Sequence, residues 1–197
     1  QTSDLTIKYG GHGEDIGHTY HQPHDIEGWD VTLADTGALT NTGGRIHRLR
    51  GYLAGRTFFM TYGDGVADID VQALLAHHRR EGKLATVTGV HPTSRYGVLE
   101  PEEDGRVLFR EKPLMDTYIS GGFFVLEPEV LDYLDDDCVF EQLPLQRLSQ
   151  DNQLSVYHHD GFWMSIDTYR EYLEINRMWS RGNRPWAVWD HPEQSSS

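Results

Sequence analysis

Apolar positions along the chain fall in short blocks that switch between strand and helix periods. Trp29–Ala34 (WDVTLA) alternates as a strand does and ends at Asp35-Thr36-Gly37. Residues 36–44 (TGALTNTGG) carry loop chemistry, and Ile46, Leu49 and Leu53 then stand at helical spacing, predicting a short helix over Arg45–Leu53. Thr57–Tyr62 (TFFMTY) is apolar enough to be a strand buried on both faces, and it runs into the sharp turn Gly63-Asp64-Gly65. Asp68 is placed to cap a helix from about Asp70 to Arg80, with Val71, Leu74, Leu75 and His78 along one side. Leu84–Val90 predicts the next buried strand.

A strand-rich stretch follows. Gly97–Glu100 and Arg106–Glu111 flank the turn Glu103-Asp104-Gly105 and read as a hairpin. Tyr118–Leu126 is another strand. A helix can begin at Pro128, and a second is expected over Glu141–Ser149 with Pro144 in its first turn. Leu154–His158 and Phe162–Ile166 predict strands. Thr168–Arg181 gives the clearest helix, with Tyr172, Ile175 and Trp179 near one side and Gly182 ending it. Strands alternating with helices imply an α/β fold: a mostly parallel, doubly wound sheet with a β-hairpin insertion. Ligands of such folds sit beyond the C-terminal strand ends, where Asp64 and Asp167 both fall. Residues 1–28 are glycine- and histidine-rich and irregular, residues 29–189 carry the fold signals, and a disordered tail is expected over 190–197.

Composition narrows the partners. The chain has 197 residues and a formal net charge of −14, from 17 Lys+Arg against 31 Asp+Glu. An acidic body repels phosphate backbones, which argues against nucleic acid, and a phosphorylated substrate would need a cation beside it. No apolar run is long enough for a transmembrane helix. Cys138 is the only cysteine and fits a reducing, cytoplasmic setting. Its acidic neighbours (DDDC) make it a poor nucleophile. His12, His18, His21 and His24 lack metalloprotease spacing, and the adjacent pairs His77-His78 and His158-His159 cannot face one metal from a regular element. The chain contains no GxGxxG, Walker A or GxSxG sequence.

Three features can carry chemistry, each with a plainer alternative. Asp64 between two glycines can hold a hard cation such as Mg²⁺, or simply be a turn aspartate. Asp167 can face Asp64 as a second ligand, or cap the helix that follows. Glu111-Lys112-Pro113 can grip a phosphorylated sugar, with Glu111 accepting from hydroxyls and Lys112 meeting phosphate, or be a surface ion pair. Pro113 favours an extended Lys112.

The segments VTLADTG (31–37), TGGR (42–45), FMTYGDGVADID (59–70), GKLATVTGVHPTSRYGVLE (82–100), EKP (111–113), SGGFFVLEPEV (120–130), GFWMSIDT (161–168) and PWAVW (185–189) together resemble the glucose-1-phosphate cytidylyltransferases, a branch of the sugar-1-phosphate nucleotidylyltransferases. The likeness covers about residues 29–189. It implies a Rossmann-like fold of the nucleotide-diphospho-sugar transferase type. The reaction it implies is Mg²⁺-dependent: CTP and α-D-glucose 1-phosphate give CDP-glucose and pyrophosphate, a step of nucleotide-sugar biosynthesis. Carried over by position, Asp64 and Asp167 are the catalytic metal ligands. Thr40, Arg45 and Asp64 meet the nucleotide, and Tyr96, Gly97, Glu111, Lys112 and Gly121 meet the sugar phosphate. The family's N-terminal strand, its GGxGTR loop and the lysine of its PKP sequence have no match here, and Ser120 stands where asparagine is common. The expectation is either a fragment of the enzyme or a truncated, non-catalytic sugar-phosphate-binding paralogue, one that requires its missing segment or self-assembly into a homo-oligomer. Another base or hexose 1-phosphate is the alternative within the enzyme reading.

Overall fold

The computed structural model describes residues 31–94 and 96–188, together with the backbone of two short strands near the N-terminus. Those strands, β1 (Leu5–Lys8) and β2 (Gly17–Tyr20), pair antiparallel inside the segment whose composition reads as irregular. The chain divides into two compact units, residues 1–35 and 36–197. The early histidines, Trp29, Trp189 and the tail lie outside the described side chains.

The larger unit is built on a four-stranded sheet. Its strands are β3 (Phe58–Thr61), β5 (Ala85–Val90), β8 (Ile119–Leu126) and β9 (Leu154–His159), in the order β3-β8-β5-β9. β8 runs antiparallel to β3 and β5, and β9 is parallel to β5. Three strands therefore share one direction and only β8 opposes them, in a mixed α/β fold. β5 (ATVTGV) is buried at every position, as a β-branched central strand should be. Two smaller ladders flank the sheet: β4 (Gly65–Ala67) with β10 (Trp163–Ser165), and β6 (Val98–Pro101) with β7 (Val107–Arg110).

Both sheet faces are covered. Ala85, Val87, Phe124 and Leu126 pack on one face against Ile46 of α1 (Thr42–Arg48), Val130 and Leu131 of the 3₁₀ turn Pro128–Tyr133, Phe140, and Leu148 of α4 (Leu143–Gln150). Val125 points the other way, towards Leu74 of α3 (Val71–Glu81) and Ile69 just before that helix. That second face also holds polar groups, most of them hydrogen-bonded, with the buried Thr88 Oγ1 left without a partner among the described residues. Buried His78 places Nδ1 2.8 Å from Thr86 Oγ1 and Nε2 3.0 Å from Glu127 Oε1, and Thr86 Oγ1 lies 2.7 Å from Ser155 Oγ.

Several elements depart from the expectations of the sequence. Val31–Ala34 form no strand; Val31 and Leu33 are exposed, and no partner strand pairs them. The first helix begins at Thr42, three residues early, and α2 (Arg50–Leu53) follows as a separate turn. Gly43 and Gly44 are helical despite their low propensity, because the helix backbone lies directly on residues 136–140. β3 is partly buried on one face only, where Phe58 and Met60 meet the core, since its alternate residue Phe59 is half exposed. The cap of α3 is Asp70, which accepts from Gln72 N–H and Ala73 N–H, while Asp68 Oδ1 stands 2.9 Å from His159 Nε2. In α5 (Tyr169–Ser180), Tyr172 and Trp179 are half exposed, so neither is a core residue. The hairpin, β5, β8, the proline-started α4 and the C-terminal helix lie where the sequence pattern puts them, within a residue or two.

A methyl at Gly44 would stand 2.4 Å from the Asp136 carbonyl oxygen, a backbone atom that cannot swing aside. Gly44→Ala is therefore expected to cost about 1–3 kcal/mol in urea unfolding, despite alanine's better helix propensity.

Candidate active site

Asp64 occupies the turn between β3 and β4. Gly65 is opposite Ser165 in the β4–β10 ladder, and the ladder runs one bond further, with Ile166 N–H donating to the Asp64 carbonyl at 2.8 Å. Asp167 comes next in the chain, so one short ladder brings both aspartates to the same end. The Asp64 side chain is exposed and has no hydrogen bond or ion pair among the described residues. Asp167 is also exposed, and its Oδ2 accepts from Ser165 Oγ at 3.0 Å. It is not the cap of α5. Thr168 is, in a capping box closed by Glu171, whose Oε2 accepts from the N–H groups of Asp167 and Thr168.

The floor of this turn is made of glycines and aromatics. Trp163 Nε1 donates to the Gly121 carbonyl at 2.8 Å, and a methyl on Gly65 would lie 3.9 Å from both atoms. Gly121 is buried, and a methyl there would meet Val90 Cγ1 at 2.8 Å. Gly122 has φ +78, with the Tyr62 ring where a side chain would go. The Tyr62 hydroxyl donates to Glu141. Burial, then the Glu141 bond and charge, then the Asp64 charge push its pKa far above the ordinary phenol value, so it remains a donor.

Glu111 and Lys112 follow β7 in a second locale. Lys112 Nζ lies 4.0 Å from Glu111 Oε1, a loose pair between partly exposed groups. Lys112 is not extended: its φ is +47, in the left-handed region, although Pro113 follows it. Such a conformation in a non-glycine residue is held by its surroundings. Here the loop is zipped to residues 92–94, with Ser94 N–H donating to Pro113 O at 2.8 Å and Met115 N–H to Pro92 O at 2.9 Å. Gly97 belongs to this locale, since a methyl on it would stand 3.3 Å from Glu111 Oε2 and strike the Phe109 ring. Neighbouring Tyr96 is largely exposed.

Thr40 and Arg45 form a third locale. Arg45 Nη1 donates to Thr36 Oγ1 at 2.8 Å and Nη2 to Ala38 O at 3.2 Å. Arg48, which sequence reasoning missed, binds Thr36 O and Thr40 Oγ1, each at 2.8 Å. The loop borders an open cleft of about 500 Å³, lined by Thr40, Arg48, Asp136 and Asp137 among others. Arg48 could have been found from its spacing, one turn beyond Arg45. Tyr62 and Trp163 gave no local signal, because their partners are remote in sequence.

Among the described residues no group of three or more His, Cys, Asp or Glu side chains gathers as a metal site. The donor set here is two carboxylates. That fits a hard divalent cation which keeps waters and takes its remaining ligands from phosphate oxygens.

Residues 40–181 match the family model described as Nucleotidyl transferase. The chain belongs to this family. Members of the family generally use a divalent metal. Among relatives, the chain is 46% identical over 165 residues to a probable glucose-1-phosphate cytidylyltransferase of Bacillus subtilis (strain 168), covering 83% of this chain and 65% of that protein. It is 42% identical over 168 residues to the glucose-1-phosphate cytidylyltransferase of Salmonella typhi, covering 84% and 65%. The chain thus spans just under two thirds of these relatives. Among solved structures, HddC from Yersinia pseudotuberculosis aligns with a TM-score of 0.52 at 21% identity, covering 71% of this chain and 62% of that one. A putative glucose-1-phosphate thymidylyltransferase from Bacillus anthracis aligns at 0.53 and 13%, covering 71% and 61%. These likenesses confirm the nucleotide-diphospho-sugar transferase fold. Among the described residues, no helix is long and apolar enough to cross a membrane.

Gly122→Ala combines positive φ with the Tyr62 ring 2.6 Å from the added methyl. It is expected to lose about 1–3 kcal/mol of stability in denaturant unfolding and to shift the near-ultraviolet signal of Tyr62.

Proposed function

We propose that the protein transfers a cytidylyl group from CTP to α-D-glucose 1-phosphate, giving CDP-glucose and pyrophosphate. The observation that carries this reading is the placement of Asp64 and Asp167 at one end of the β4–β10 ladder, in a chain 42–46% identical to proteins named for that reaction. A sugar-phosphate oxygen attacks the α-phosphorus, a new P–O bond forms, and the bond to the pyrophosphate oxygen breaks. Such transfers depend on positioning and on neutralising charge.

Asp64 and Asp167 are the residues that would hold Mg²⁺, which when bound supplies positive charge for the phosphate oxygens. Lys112 meets the sugar phosphate, and Glu111 accepts from sugar hydroxyls. Tyr96 and Gly97 line the approach beside Glu111, and Gly121, packed on Val90 and accepting from Trp163 at its carbonyl, shapes the part of β8 beside which the hexose sits. Arg45 spends two of its five N–H donors shaping the 36–40 loop and offers the rest, with Thr40, to the nucleotide. Ser120, whose Oγ accepts from Gly122 N–H at 3.4 Å, has a shorter reach to the sugar than asparagine, so that contact is either lost or bridged by water.

Turnover of the full-length protein with CTP, UTP and dTTP tests the reading: CTP should be strongly preferred, and equal rates would overturn the base assignment. Asp64→Asn and Asp167→Asn should each lower kcat by about a hundredfold or more with unfolding unchanged. Lys112→Ala should raise KM for glucose 1-phosphate by about ten- to a hundredfold and leave KM for CTP near its starting value.

A further inference from the structure

Outside the residues already assigned, four side chains cluster at the rim where β5 and β9 end. His91 leaves β5, His158 is the penultimate residue of β9 with Asp160 just beyond the strand, and Tyr118 immediately precedes β8. The Tyr118 ring lies between two imidazoles, with centroids 4.0 Å from His91 and 4.3 Å from His158, the latter nearly parallel. Its hydroxyl donates to Asp160 Oδ1 at 2.8 Å. His91 Nδ1 is 2.7 Å from the Met115 carbonyl, and its Nε2 is 3.5 Å from Asp160 Oδ1.

Both neighbours of His91 are acceptors, a carbonyl on one side and a carboxylate on the other. Nδ1–H must therefore be the donor to Met115, and a second N–H on Nε2 would satisfy Asp160 as well. Met115 lies in the loop that carries Glu111 and left-handed Lys112, and among the described residues the backbone of that loop is also tied to residues 92–94. His91 thus joins the middle of this loop to the sheet at Met115, and Tyr118, at the loop's end, makes a second junction through His158 and Asp160 and packs against the His91 ring.

We propose that His91 is a positioning residue for sugar-phosphate recognition. Its bond to Met115, braced by Asp160 and Tyr118, fixes the 111–118 loop so that Glu111 and Lys112 are presented to a hexose 1-phosphate. The proposal rests on the nucleotidyl-transfer reading for its ligand, but the loop tether itself does not. A core-packing histidine would affect stability and both substrates alike; a tether of this loop acts on one substrate.

The test uses the full-length protein with His91→Ala, His91→Asn and Asp160→Asn. His91→Ala should raise KM for glucose 1-phosphate about tenfold while KM for CTP stays within about twofold. Asparagine can still donate to the Met115 carbonyl, so His91→Asn should recover most of the loss. Asp160→Asn should give a smaller rise in the same parameter. In parallel, amide hydrogen exchange at Ser94 and Met115 should quicken about tenfold in His91→Ala while β5 amides keep their protection. Unchanged KM and unchanged exchange would overturn the proposal. So would equal rises in both KM values with loss of protection through β5, which marks a purely structural role. If the unaltered protein transfers no nucleotide from any triphosphate, the functional reading fails and the exchange arm alone decides the tether.

Discussion

The candidate chemistry depends on a ladder three residue pairs long. β4 and β10 are too short to be stable alone, and their pairing is extended by the Ile166–Asp64 backbone bond. Through it the turn after β3 and the segment before α5 are brought into register. The Thr168–Glu171 capping box fixes the far side of Asp167 with two bonds from backbone N–H groups. Each aspartate is thus positioned by main-chain contacts, which leaves the carboxylate of Asp64 uncommitted.

The other two locales are built the same way, with side chains shaping backbone. Arg45 and Arg48 both reach back to the 36–40 loop. The loop with Lys112 is laced to residues 92–94 and to His91. In an acidic protein these cations are few, and part of the hydrogen-bonding capacity of Arg45 and Arg48 goes to loop geometry. The remainder is what a phosphate would find.

Much of this was legible in the sequence because its signals are local. Gly63-Asp64-Gly65 announces a turn, alternation with a Gly-containing turn announces the β6–β7 hairpin, and the buried β5 is recognisable from its β-branched residues. The readings that failed are those where a distant contact overrides a local preference. Gly43 and Gly44 look like a loop, but the 136–140 backbone needs their missing side chains. Asp68 and Asp70 are equally good caps by type, and only the His159 contact removes Asp68 from the competition. Pro113 argues for an extended Lys112, and the zipped loop holds it left-handed instead. That Asp64 and Asp167 fall at one end of the sheet followed from the alternating strands and helices, but each segment alone left a plainer role open, and the resemblance is what favoured the pair as ligands.

The reversed direction of β8 has an architectural outcome. Val90 at the end of β5 pairs with Ile119 at the start of β8, so everything between them departs from and comes back to one point of the sheet. Topologically the hairpin and the Glu111-Lys112 loop are an enlarged turn between adjacent central strands. Such a module can be lengthened, trimmed or exchanged without disturbing a single pairing beneath it, which makes this excursion the part of the scaffold whose length and chemistry are freest to vary.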